Sequence, residues 1–413
     1  MQMKGQIPML RYATVTITAT VTFCFLCSSL TLAASKKPKQ LDQFAPNPLE
    51  ITTPDPLLPQ KSRKQPLTPA ELQNLETALD ELDQQAAVQL QIGETEEAFD
   101  LWNRELRLRR VLGSLQEVQA LSRVGDIAWH QNERKEVQYI TERLQTIQKQ
   151  AQLLNPAGPK LFQALGEAYQ KVRSPKLALQ VYDQVLTAQK ITGDVAGQIE
   201  TLKTIGEVHL GWFDYTSAAA TYEQLLNLAS SKGDDVDKVT YLQELAYIYD
   251  QEKQPEQSVK VRTQLAELYQ QENNFTLLPA LKLAIASDYE SLAQNNPSLL
   301  QEAFKNYQQA YTTAWQLQQF MRASEALQKL IALYRSHGQI EDALQTSQIL
   351  VQTEEQAGDF YGLMQAYDQI GQIQLQRKDY PQAQTAFRKG LEFAKQLKYN
   401  EAYFTQQIQK AMQ

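Results

Sequence analysis

The sequence holds two cysteines, three histidines and no glycine-rich loop of the kind that cradles phosphate groups. Both cysteines, Cys24 and Cys27, fall in an uncharged N-terminal run, so a chain trimmed of that run has no disulfide framework and no thiol chemistry. His130, His209 and His337 lie far apart, with no HExxH or GxSxG pattern near them. Local spacing therefore supplies no metal site and no activated nucleophile. Basic charge is also short, at 40 Lys and Arg against 47 Asp and Glu. That balance argues against nucleic acid or an anionic membrane surface as the main partner. No enzyme, cofactor or small-molecule substrate is expected. Binding is what remains.

What is present begins with an address. Lys4 and Arg11 precede a 21-residue stretch, residues 12–32, that carries no charge, and Ala33, Ala34 and Ser35 offer small residues for a signal peptidase. This is the layout of an export signal over residues 1–35. The periplasm, or a thylakoid lumen if the host has one, is the expected destination. The same run is long enough to span a bilayer if left uncut, so a single-pass anchor is the alternative. Leu26 and Phe23 precede the two cysteines where lipid-attachment signals have small residues, which disfavours lipidation. Cutting after Ala34 would leave 38 basic and 47 acidic residues, a net charge of −9.

Residues 36–69 hold eight of the sixteen prolines and read as a disordered, polyproline-like linker. Phe44, Leu49, Ile51, Leu57 and Leu58 are more apolar than a plain spacer requires, so a docking segment is the other reading.

Residues 70–398 are repetitive. In residues 161–185 two amphipathic helices stand back to back, broken at Arg173-Ser174-Pro175, with Leu165, Gly166 and Tyr169 on one face of the first and Ala178, Tyr182 and Val185 on one face of the second. A small residue marks most first helices: Ala86, Gly125, Gly166, Gly206, Ala246, Ala286 and Gly371, with Ile331 in the seventh. Ala98, Val137, Ala178, Ala218, Ser258, Ala303, Ala343 and Ala383 mark the second helices, spaced by 39, 41, 40, 40, 45, 40 and 40 residues. Such a period is the signature of a solenoid. Glycine inside a helix costs about 1 kcal/mol relative to alanine, so its recurrence at one register implies a close helix crossing. Trp102, Tyr182, Tyr222, Tyr307 and Phe387, four residues after the second small site, are the complementary knobs. Five extra residues in the sixth unit accommodate the turn-forming cluster 294–298. Residues 399–413 read as a closing helix, with Tyr403, Phe404 and Ile408 inward.

The runs Leu165-Gly166-Tyr169-Ala178-Tyr182, Ile205-Gly206-Ala218-Tyr222 and Ile370-Gly371-Ala383-Phe387 resemble the tetratricopeptide repeat family in a 40-residue variant. Departures are Val137 with Thr141, Ser258 with Arg262, and Ile331 with Ser347. The resemblance implies an all-α, right-handed solenoid of about eight helix pairs plus a C-terminal capping helix, working as a protein-interaction scaffold. It also implies that first helices line a concave groove for peptides or helices. Inward places, six and three residues before each first-helix small site and one after it, hold eight acids: Asp80, Asp83, Asp126, Glu167, Glu200, Glu207, Glu325 and Asp368. Lys160 and Lys203 are the only bases there. The candidate partner-binding residues are Asp126, Glu167, Glu200, Lys203, Glu207, Gln243 and Tyr247, with Trp129 as a further aromatic contact, and the expected ligand is an extended segment bearing lysine or arginine. Some family members hold a C-terminal carboxylate with a lysine–asparagine clamp; Glu207 stands where that asparagine would be needed, so such a receptor is not expected.

Overall fold

The computed structural model describes residues 47–58, 66–153 and 158–412. The expected export signal and the uncharged run within it lie outside the described residues. Among the described residues there is no strand, and no helix is long and apolar enough to cross a membrane. Eight helix pairs follow one another: α1 (Pro69–Gln91) with α2 (Thr95–Arg109), α3 (Ser114–His130) with α4 (Arg134–Leu153), α5 (Pro159–Lys171) with α6 (Pro175–Thr192), and α7 (Val195–Gly211) with α8 (Tyr215–Lys232). Then come α9 (Asp235–Gln251) with α10 (Pro255–Gln271), α11 (Leu278–Ala293) with α12 (Leu300–Gln316), α13 (Phe320–Ser336) with α14 (Ile340–Ala357), and α15 (Phe360–Gln376) with α16 (Tyr380–Leu397). The closing helix α17 (Glu401–Lys410) packs on α16. The pairs stack as a right-handed α-solenoid, each helix touching its neighbours in sequence.

The ends of these helices are written in the sequence. Asp194, Asp214, Asp234, Asp359 and Asp379 each cap a helix, their carboxylates accepting from backbone N–H groups two or three residues on. Such a cap contributes about 1 kcal/mol. Pro175 and Pro255 stand in first turns, where no N–H is missed. Gly193, Gly233 and Gly358 close helices with φ of 70°, 69° and 68°, the left-handed conformation that costs glycine nothing.

The small and bulky registers interlock. A Cβ on Gly166 would stand 2.5 Å from the Tyr182 ring, and one on Gly206 would stand 2.8 Å from Tyr222. Gly371 is filled in the same way by Phe387, and Gly390 by Phe404 of the closing helix. In the seventh unit the sizes are reversed, with Ile331 on the first helix and a fully buried Ser347 on the second. The second unit solves the problem differently. The space over Gly125 is taken by Val172, at the end of α5 in the next unit, 2.6 Å from where a Cβ would be. Thr141 turns its hydroxyl back to the Val137 carbonyl at 2.7 Å. Accordingly, of the two helices of the unit before it, α5 packs mainly on α3 and only lightly on α4. In the fifth unit the knob is charged. Arg262, buried where others have a tyrosine, pairs with Asp288 of α11 at 2.5 Å and with Asp250 of α9, and donates to Ser258 Oγ at 2.9 Å. This helix-pair packing of small sites against knobs makes the fold tetratricopeptide-like.

One expectation is corrected. Residues 47–58, part of the stretch read as a disordered linker, are docked on the first two units. Leu49 is fully buried among residues of the main core, and Leu57 and Leu58 lie against Leu75 and Leu79. Three arginines spaced about one helical turn apart, two on α2 and the third in the 3-10 turn just after it, grip the segment. Arg104 holds Asp55 through two bonds of 2.7 and 2.9 Å, Arg107 donates to the Pro48 carbonyl at 2.7 Å, and Arg110 donates to the Leu49 carbonyl at 2.6 Å. Neither carbonyl accepts a backbone bond from within the segment, and the arginines supply the donors. Nearer the repeats, Thr68 and Glu71 form a reciprocal capping box that starts α1. Residues 36–46 and 59–65 lie outside the described residues.

The extra residues of the sixth unit end α11 at Ala293 and add a 3-10 turn, Pro297–Leu299. They border a cavity of about 460 Å³ lined by Glu290, Pro297, Leu300, Leu333 and His337.

Candidate partner-binding groove

The first helices carry the candidate residues, and the structure divides the eight acids into two kinds. Five are engaged within the chain. Asp80 pairs with Arg109 at 2.6 Å, and Asp83 pairs with Arg123 and accepts from the Trp102 indole at 2.8 Å. Asp126 pairs with Lys171 at 3.5 Å, Glu325 with Arg322 at 2.8 Å, and Asp368 accepts from the Tyr403 hydroxyl at 2.9 Å. Glu167, Glu200 and Glu207 are exposed and take no hydrogen bond or ion pair from any described residue through their carboxylates. These three sit on the neighbouring first helices α5 and α7.

Buried tyrosines of the second helices pack behind the helices that carry them. The Tyr182 hydroxyl, which accepts from Gln170 at 2.7 Å, is pushed up to about 12 by burial, with Glu167 and Glu207 both adding to the shift. The Tyr222 hydroxyl is raised to about 12 by burial, then by Glu244 and Glu207. Glu207 thus contributes to raising both hydroxyls. Lys203, between Glu200 and Glu207 on α7, extends over the Tyr241 ring at 5.9 Å. This cation–π contact leaves Lys203 without a carboxylate partner among the described residues and holds its charge against that ring.

The other candidates are placed as follows. Asp126 and Glu167 line one cavity of about 310 Å³ with Gln170, Lys171 and Arg173, so that end of the groove is charge-balanced. Gln243 donates to the Tyr269 hydroxyl at 2.8 Å. Tyr247 is half exposed and meets Tyr215 edge-on at 6.4 Å.

Three features escaped the sequence reading. Lys171 and Arg173 oppose the acids of α3 and α5. Arg173 also lies over the Trp129 ring at 5.8 Å, so that this exposed indole already has a cation on it. The third is an aromatic ladder running from the turn after α7 toward α9: Phe213 meets Tyr215 at 6.3 Å, and Tyr215 meets Tyr247. Phe213 has φ of 60° and is 75% exposed. A bulky side chain in the left-handed region is strained, and here burial does not offset the strain. Corresponding turns carry Asn132, Arg173, Lys253, Gly338 and Lys378, so a phenylalanine among them was the available signal.

His209 is mostly buried and lies 3.2 Å from the Asp214 carboxylate. Among the described residues no group of three or more His, Cys, Asp or Glu side chains could hold a metal ion.

No protein-family model matches the chain. No curated protein matches it either. Among solved structures it is similar to RapI in its apo form, at 11% identity over 81% of this chain and 97% of that one, with a TM-score of 0.36. It is also similar to aspartyl phosphate phosphatase F from Bacillus subtilis, at 16% identity over 71% of this chain and 78% of that one, with a TM-score of 0.36. MamA is a third, at 20% identity over 47% of this chain and 98% of that one, with a TM-score of 0.34.

Proposed function

We propose that this protein is a non-enzymatic scaffold, exported from the cytoplasm, that binds an extended basic segment of a partner protein across α5, α7 and α9. The observation that carries this reading is the contrast between Asp80, Asp83, Asp126 and Glu325, each paired with a lysine or arginine, and Glu167, Glu200 and Glu207, whose carboxylates take no hydrogen bond or ion pair from any described residue. Three exposed carboxylates on adjacent helices concentrate negative potential and speed the approach of cations. Each exposed ion pair contributes only about 0–1 kcal/mol, so affinity has to come from several together and weakens with salt. The Phe213–Tyr215–Tyr247 ladder supplies apolar area at the α9 end. Lys203, held down on Tyr241, penalises partners whose positive charges fall opposite it.

The test uses the purified chain and fluorescent twelve-residue peptides that are lysine- and arginine-rich, neutral or acidic. Basic peptides should bind best, and binding should fall steeply between 50 and 300 mM salt on the order expected for several exposed pairs. Reversing Glu167, Glu200 and Glu207 to lysine together should abolish the preference at unchanged helical content, while Asp126→Asn, already paired to Lys171, should alter it little. Equal binding of neutral and basic peptides would remove the electrostatic reading. Export is tested separately by intact mass on native protein, where cleavage gives a start between Ala34 and Lys36; a start at Met1 in the membrane fraction would favour the anchored alternative.

A further inference from the structure

Several of the buried and half-buried carboxylates in this chain are held by an arginine. Asp55 has Arg104, Glu105 has Arg109 and Arg123, Glu117 has Arg110 and Arg143, and Asp288 has Arg262. Asp368 on α15 has no such partner. Its Oδ1 accepts from Tyr403 Oη at 2.9 Å and from Gln372 Nε2 at 3.4 Å, while Oδ2 accepts nothing from any described residue. No described cation lies within ion-pair distance of it, and Arg335 acts on it only from farther away. Burial pushes its carboxyl above the usual carboxylate range, in spite of the bonds from Tyr403 and Gln372.

Unlike Glu354, which is sealed in the seventh unit, Asp368 opens on a cavity. The cavity, about 220 Å³, lies between α15 and the closing helix and is lined by Tyr361, Met364, Gln365, Asp368, Asn400, Tyr403 and Phe404. It is smaller than the roughly 300–1,000 Å³ of ordinary small-molecule pockets, and suits one side chain better than a whole ligand. Three of its walls are aromatic. Tyr403 is fixed by donating to Asp368 and accepting from Gln372 at 2.9 Å, and Phe404 is locked over Gly390. Asn400 stands at the N-cap of α17 in a left-handed conformation, φ 59°, yet its side chain makes no capping bond and borders the cavity instead. An unpaired carboxylate oxygen with aromatic walls is complementary to a cation carrying a short apolar stem.

We infer that this cavity is a binding site for a single alkylammonium group, with Asp368 as counter-charge and Tyr361, Tyr403 and Phe404 as its aromatic walls. The site is separate from the α5–α7 acids and does not depend on their role. The same chemistry comes from a lysine side chain of a partner protein or from a free polyamine.

The probe is n-butylammonium, titrated into the full chain carrying ring-labelled tyrosine and followed by NMR, with n-butanol as the neutral control. Saturable shifts are expected with the amine, at an affinity roughly tenfold or more above the alcohol, because an ionised pair adds to the shared stem contact. Asp368→Asn should remove that advantage, and Tyr361→Ala, at a partly exposed wall, should weaken binding without threatening the core. Glu167→Gln with Glu200→Gln and Glu207→Gln should leave it unchanged, which separates this site from the groove. A blocked lysine peptide binding more tightly than n-butylammonium assigns the source to a partner protein, and spermidine binding more tightly assigns it to a polyamine. If the alcohol binds as well as the amine, or Asp368→Asn binds as well as the native chain, the inference is overturned.

Discussion

The ring of Tyr182 fills the space that any side chain at Gly166 would need, its Cε1 and Cζ each 2.5 Å from a Cβ placed there. The same relation joins Gly206 to Tyr222, and its inverse joins Ile331 to Ser347. Volume is conserved across each pair, and neither residue has a fixed size.

Gly206→Leu should therefore overpack the crossing and destabilise by about 1–3 kcal/mol. Gly211→Leu, about 7.5 Å along the same helix at a rise of about 1.5 Å per residue, meets nothing within 4 Å and should cost far less. Pairing Gly206→Ile with Tyr222→Ser copies the seventh unit and should recover part of the loss. Thermal unfolding of the three variants decides it, and equal melting points for Gly206→Leu and Gly211→Leu would contradict the interlock.

The docked segment should be severed by one residue. Leu49→Ala removes a fully buried anchor at a cost of roughly 2–5 kcal/mol in an unyielding site. Here the segment can lift away, which caps the global loss at its own docking energy. Limited proteolysis should thus show faster cleavage ahead of residue 66, with the repeats left intact. Unchanged cleavage would mean that Arg104, Arg107 and Arg110 hold the segment without the leucine.

Glu354 gives a pH dependence of definite sign. It is buried to 1% exposure, its Oε2 has no hydrogen-bond partner, and burial raises its carboxyl above the ordinary 4.5. The native state therefore holds this proton more tightly than the unfolded chain, so Glu354 lowers stability as pH rises from the unfolded value through the raised native one. Glu354→Gln should be more stable than the native chain at pH 7.5, in the roughly 0.5–3 kcal/mol range of single core changes. The advantage should shrink toward pH 4. Urea unfolding at both pH values measures it, and a gain that is the same at both would refute the assignment.

Phe213 should trade stability against binding. Phe213→Gly releases a left-handed conformation that costs about 1–2 kcal/mol for a side chain bearing Cβ, and loses little because the ring is mostly exposed. The melting temperature should rise, while basic-peptide affinity falls with loss of the ladder. A variant that is neither more stable nor weaker in binding would leave the ring without a role.

Much of this architecture was legible in residue order. Gly166 and Tyr182 recur at one register, and registers are what a sequence displays. The docking of residues 47–58 was not, because Arg107 and Arg110 bind backbone carbonyls, which carry no side-chain signature. The groove was half legible. Its acids can be placed by spacing, but Asp83 is engaged by Arg123, forty residues on, and only a folded chain brings that pair together. Tyr403 and Asp368, 35 residues apart, escaped for the same reason.

The joins between units are not all alike, and that limits how the chain can be edited by recombination. Val172 completes the unit before its own, and Arg262 reaches forward to Asp288 in the unit after it. Excising the second unit would leave Val172 without its notch, and excising the sixth would strand a buried guanidinium with half its counter-charge. The third and fourth units keep their Gly–Tyr pairs in-house. Gain or loss of repeats by unequal crossover is therefore tolerated where those two meet, and the flanking joins lock the order of the units they connect.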